Sequence, residues 1–160
     1  MTNSPEQAAR GYSFGMRLMH WVTAAVMIFV IIAGILIGND IKLSFYPKLY
    51  DHHRAFGFLL LFIVAIRLIV KLRAQKPSPL PASVTPVQRK ISAAVHHLLY
   101  AGLIIQPLLG WYATNAWGVK NIPFFFGMHL PQLADKDREF GNFLLDIHDK
   151  LGMFLSLIHI

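Results

Sequence analysis

The 160-residue chain contains no cysteine. A disulfide framework and thiolate ligation of a metal are therefore excluded, and cysteine usage leaves the redox compartment open. Charge is scarce as well: 14% of residues are Asp, Glu, Lys or Arg, against 55% hydrophobic, where a soluble domain carries about 25% charged residues. The charges are clustered and leave long stretches almost free of them, which is the pattern of a membrane protein. The net charge of +7 sits in short segments between apolar runs. With no soluble basic domain to carry it, this charge argues for membrane topology and against nucleic-acid binding. What the chain has in excess for its apolarity is histidine, eight in all.

Four apolar runs organise the sequence. Residues 1–17 are polar and small, and read as an exposed tail ending in Arg17. The first run, LMHWVTAAVMIFVIIAGILIG, covers residues 18–38; at about 1.5 Å per residue it is about 30 Å long, enough to span a bilayer core. It outlasts a signal-peptide core and lacks a convincing A-x-A site, which predicts a retained helix. A loop broken by Pro47 leads to HRAFGFLLLFIVAIRLIVKLR, residues 53–73, where Arg67 lies in the last turns and can snorkel to the interface. Residues 74–90 hold four prolines and read as a loop. The third run, ISAAVHHLLYAGLIIQPLLGWY, covers residues 91–112, with Pro107 as a kink that a membrane bundle tolerates. Residues 113–140 read as a long polar and aromatic loop, and a fourth helix is predicted over residues 141–160, short and semi-polar at its start. The expected fold is an all-α membrane protein, a single four-transmembrane-helix bundle over residues 1–160 whose fourth helix is incomplete.

The basic residues orient it. The tail has Arg10 and Arg17, the second loop has Lys71, Arg73, Lys76, Arg89 and Lys90, and Glu6 is the sole acid among these segments. The other loops and their flanks balance seven cations with seven acids. The positive-inside rule then places the N-terminus and the second loop in the cytoplasm.

Depth sorts the histidines. His20 falls near the cytoplasmic start of helix one, and His96 and His97 near that of helix three. His53 and His148 open helices two and four at the outer edge, and His159 lies about three turns beyond His148. A buried imidazole in a membrane needs a partner or a metal. Haem iron suits two imidazoles from facing helices, each supplying one axial nitrogen. His53 and His148 make such a pair, while His20 requires a partner at its own depth on helix four. Gly57 and Gly152, each four residues after a histidine, would leave room for a flat macrocycle. His52, His97 and His129 read as interfacial. Zinc is weakly supported, because neither His-His pair has helical i, i+4 spacing and no carboxylate lies at matching depth. Trp21, Trp111, Trp117, Phe124, Phe125 and Phe126 read mainly as interfacial belt residues.

Taken together, YSFGMRLMHW (12–21), HRAFGFLLLFIVAIRLIVKLR (53–73), HHLLYAGLIIQPLLGWY (96–112), IPFFFGMHLPQLADKD (122–137) and LLDIHDKLG (144–152) carry a resemblance. The chain resembles the bacterial cytochrome b-561 family, grouped with the cytochrome b subunits of nickel hydrogenases. That resemblance implies a four-helix, di-haem b protein of the bacterial inner membrane, part of a respiratory chain and exchanging electrons with quinone. It implies haem-iron ligation by His20, His53 and His148, and a quinone or proton role for His96. Some members are oxidoreductases that oxidise superoxide and pass the electron to quinone. Others are relay subunits of a dehydrogenase or hydrogenase. The family's fourth ligand lies about one turn beyond the position of His159, which makes His159 a doubtful substitute. The closing LSLIHI reads like translated sequencing adapter, so that native sequence is expected to end at Phe154 and the chain to be a C-terminally truncated fragment. A cation or metal transporter using the histidines is the rival from another class; against it, the apolar runs hold no Asp or Glu deep in the membrane.

Overall fold

The computed structural model describes residues 11–41, 48–74 and 83–159, the side chain of His159 excepted. Four helices dominate: α1 (Phe14–Gly38), α2 (Leu49–Arg73), α3 (Pro86–Trp117) and α4 (Arg138–His159). A hairpin of β1 (Ile122–Pro123) and β2 (His129–Leu130) lies between α3 and α4. Consecutive helices pack side by side, and α1 touches α4 to close the ring.

Every helix begins earlier than its apolar run, and at α1, α3 and α4 a polar side chain caps the start. Ser13 accepts from the Met16 N–H and opens α1 at Phe14. α2 starts at Leu49, so His53 lies one turn inside it rather than at its first residue. The proline-rich stretch read as loop to residue 90 ends at Thr85. There the Thr85 hydroxyl accepts from the Gln88 N–H while the Gln88 side chain accepts from the Thr85 N–H, a reciprocal cap with Pro86 at the first helical position. The segment 113–140 is likewise not all loop: α3 runs on to Trp117 and α4 starts at Arg138, where Asp137 Oδ1 accepts from the Phe140 N–H at 3.0 Å. Among the described residues α1, α2 and α3 are long and apolar enough to cross a bilayer. α4 carries Arg138, Glu139, Asp146, Asp149 and Lys150, and is not among those three.

The buried apolar residues are few and lie mainly on α2 (Leu49, Ala55, Leu60, Ile63, Val64) and at the far end of α3 (Ala113, Ala116) with Ile122 and Leu130 of the hairpin. Outward-facing side chains such as Ile28, Ile32, Ile66, Ile69 and Ile105 are exposed. That arrangement is stable only when hydrocarbon is the solvent, with every helical backbone group already paired. The interior is hollow. A cavity of about 790 Å³ runs among the four helices and is lined from His20 and Arg67 at one end to His53 and His148 at the other.

The long connection is stitched to the bundle by specific bonds. Asn115, 2% exposed, donates to Val119 O at 2.7 Å and accepts the Leu133 N–H at 2.9 Å. Trp111 Nε1 donates to Pro131 O, and Asp137 N donates to Ala116 O. The hairpin folds Phe124 and Phe125 back onto α2, where their rings meet Phe58 and Phe56 at 5.4 and 5.1 Å. Phe58 also meets Trp111 at 4.8 Å. These three aromatics therefore pack onto α2. Trp21 and Phe126, 70% and 98% exposed, keep an outward position.

α4 approaches α3 backbone to backbone at Gly141. A Cβ there would lie 2.5 Å from Trp117 N and 2.7 Å from its Cα, and main chain cannot move aside. Gly141→Ala is expected to destabilise the fold by about 1–3 kcal/mol, the usual cost of overpacking. Thermal unfolding in detergent would read this as a lowered Tm, with Gly11→Ala unchanged because nothing lies within 4 Å of a Cβ at Gly11.

Candidate functional site

His53 on α2 and His148 on α4 come together with ring centroids 6.2 Å apart and planes at 83°. Each ring is fixed by a neighbouring helix in the same way. His53 Nδ1 lies 3.0 Å from Val30 O of α1, and His148 Nδ1 lies 3.1 Å from Gln106 O of α3. A carbonyl oxygen only accepts, so Nδ1 carries the proton in both rings and Nε2 keeps its lone pair. Four residues beyond each accepting carbonyl stands a glycine, Gly34 on α1 and Gly110 on α3. A Cβ at Gly34 would sit 3.2 Å from His53 Cε1, and one at Gly110 would sit 2.7 Å from His148 Cε1. Carbonyl at i and glycine at i+4 thus form one docking device used twice, the glycine letting the imidazole reach the helix backbone.

Gln106 holds α4 at a second point. Its side-chain amide donates to the backbone carbonyl of His148 at 2.5 Å. Gly152 makes the space, since a Cβ there would lie 2.8 Å from Gln106 Nε2. Gly57 differs: a Cβ on it would meet nothing within 4 Å, and the residue lines the cavity one turn beyond His53. Of the two glycines expected to leave room beside the histidines, Gly57 faces open space and Gly152 receives a glutamine.

With the ring centroids 6.2 Å apart, both imidazoles lie near enough to serve one metal ion. Among the described residues no group of three or more His, Cys, Asp or Glu could hold a metal. Two imidazoles beside a large apolar cavity suit an ion whose remaining ligands come from a macrocycle, which is the donor set of haem iron.

The other histidines lie apart from this pair. His20, exposed on α1, lines the opposite end of the cavity, where Arg67 Nη2 donates to its Nδ1 at 3.1 Å. That contact puts any neutral-ring proton on Nε2, the opposite tautomer from His53 and His148; metal ligation through Nε2 would require Arg67 to let go. His96 lines the same end and donates Nδ1–H to Ser92 O at 2.6 Å. His97 does the same to Ala93 O, facing outward. His129 is exposed on β2, and the ring of half-buried His52 lies 6.5 Å from that of Phe56. His159 ends α4, and its side chain lies outside the described residues.

Comparison with known proteins identifies the family. The family model for prokaryotic cytochrome b561 matches residues 11–160. The chain is also 30% identical over 166 aligned positions to cytochrome b561 homolog 2 of Escherichia coli (strain K12), covering 99% of this chain and 83% of that protein. The hollow helical bundle thus belongs to the prokaryotic cytochrome b561 family, the membrane proteins that carry electrons on haem b.

Proposed function

We propose that the chain passes single electrons between haem b and a membrane quinone, and that His53 and His148 are the residues that would hold the iron of one haem. The observation that supports this reading most directly is the matched pair of imidazoles, each with Nδ1–H given to a helix carbonyl and Nε2 left with its lone pair. Bound haem b would supply reversible one-electron chemistry between ferric and ferrous iron.

The residues of the chain do the rest. Val30 O and Gln106 O fix ring tautomer and orientation, and they raise the basicity of the ligating nitrogens. Gly34 and Gly110 let the rings dock. The Gln106 amide sets α4 against α3 at the height of His148. Leu60, Leu103 and Leu145 line the cavity wall and exclude water. At the far end, His96 has Nδ1–H committed to Ser92 O, which leaves Nε2 to accept a proton from a quinol. A bacterial inner-membrane setting follows from the family reading. The electron donor is assigned by adding superoxide or a quinol analogue to the purified oxidised protein and following haem reduction by absorbance.

His53→Ala or His148→Ala is expected to abolish haem b at this site, read as haem per polypeptide from reduced-minus-oxidised absorbance. His129→Ala is expected to leave the ratio at the parent value, and haem loss there would contradict the assignment. Gly110→Ala keeps both imidazoles but pushes His148 off the Gln106 carbonyl. Haem affinity should then fall by about 10–100-fold, the usual cost of losing an outer-shell partner, measured by haem titration of the apoprotein.

A further inference from the structure

Fixed positive charge is rare on the wall of the cavity. Among the described lining residues it comes from Arg54 and Arg67, one toward each end. Arg67 is engaged: it donates to His20 Nδ1 at 3.1 Å, and its guanidinium carbon lies 5.3 Å from the Tyr100 ring centre. Arg54 follows His53 directly on α2 and takes no part in docking either imidazole. Its side chain is 24% exposed. A guanidinium stays charged and offers five N–H donors in a planar fork. The protein uses this fork only loosely. Asp51 Oδ1, one turn back on the same helix, lies 3.7 Å from Arg54 Nη1, too far for a hydrogen bond. The other contact is the Tyr50 ring, whose centre lies 5.5 Å from the guanidinium carbon.

The carboxylates of α4 that border the cavity are directed elsewhere. Asp146 Oδ2 accepts from Lys150 Nζ at 2.6 Å. Asp149 Oδ1 lies against α1, 3.6 Å from where a Cβ on Gly38 would stand. Arg54 is thus a largely buried cation on the cavity wall with donors to spare, and a guanidinium fork matches a carboxylate in two parallel hydrogen bonds. The inference rests on the haem reading of this cavity. Haem b is a flat apolar ring that carries two propionate carboxylates on one edge. Taken out of water, those charges need a cation, and Arg54 is the arginine at the His53 and His148 end. It stands five residues, about 8 Å, from the start of α2 at Leu49, nearer the end of the bundle than its middle. We infer that Arg54 binds a propionate carboxylate of the haem held by His53 and His148, and so fixes which edge of the macrocycle lies toward the start of α2.

The test compares haem b with its dimethyl ester, in which both carboxylates are blocked, by titrating each into the full-length apoprotein in detergent. Binding is read by absorbance, counting only the signal that His148→Ala removes. The parent should prefer haem b by about ten-fold, the usual scale for a hydrogen bond to a charged group. Arg54→Gln should lose that preference by binding haem b about ten-fold more weakly while its affinity for the ester stays at the parent value. Arg54→Lys keeps the charge but not the fork, and should fall between the two. If Arg54→Gln fails to fold, Arg54→Lys decides by the same comparison. Equal affinity of the parent for the two compounds, or a parent-like preference in the folded variant, would overturn the inference while leaving the haem site standing. Binding of neither compound at the site that depends on His148 would overturn the haem reading, and this inference with it.

Discussion

An imidazole surrounded by lipid-facing helices has one N–H to give away and one lone pair to offer, and the structure is organised around meeting that demand twice. Left unpaired, the N–H would cost as much as any buried donor. Side-chain acceptors are scarce in helices this apolar, so the main chain supplies the partner. A helical carbonyl is already engaged along its own helix but retains a second lone pair. An imidazole reaches it only where no Cβ intervenes. Gly34 beyond Val30, and Gly110 beyond Gln106, provide that access. Once the Nδ1 proton is committed, Nε2 is left with its lone pair, and the pair's capacity to hold the proposed haem iron would come from backbone geometry rather than from a carboxylate network.

This constraint explains why the bundle can be hollow. Packing at the far end of α3 and along α2, the stitching of the connection by Asn115, and the glycine contact between α4 and α3 hold the helices at a distance that leaves about 790 Å³ between them. A soluble protein with so few buried side chains would collapse. Here lipid covers the outward apolar faces, and on the proposed reading haem b would take up space that side chains leave. Shape and chemistry agree at one end, where His53 and His148 face the cavity. At the other end His20 is held by Arg67 in the opposite tautomer.

Hydropathy and run length made the four-helix membrane architecture legible, and depth along the runs paired His53 with His148 before any contact was known. The helix ends were less legible. The Thr85–Gln88 cap with Pro86 at the first turn is written in the sequence, yet four prolines in one stretch outweighed it. The docking glycines were missed for a different reason. Gly57 and Gly152 stand out because they follow histidines on the same helix, whereas Gly34 and Gly110 serve histidines on other helices. Only the lateral packing of α1 on α2 and of α3 on α4 shows which glycine meets which ring. Asn115 and the folding of Phe124 and Phe125 onto α2 are tertiary features with no signature at fixed sequence spacing.

The central claim is that His53 and His148 share one haem iron through Nε2 while their Nδ1 protons stay on helix carbonyls. Low-temperature electron paramagnetic resonance of the purified, oxidised, haem-loaded chain tests it most directly. Two imidazoles with planes at 83° predict a strongly anisotropic low-spin ferric signal that disappears in His148→Ala. A high-spin signal alone, or a low-spin signal unchanged by that substitution, would contradict the account.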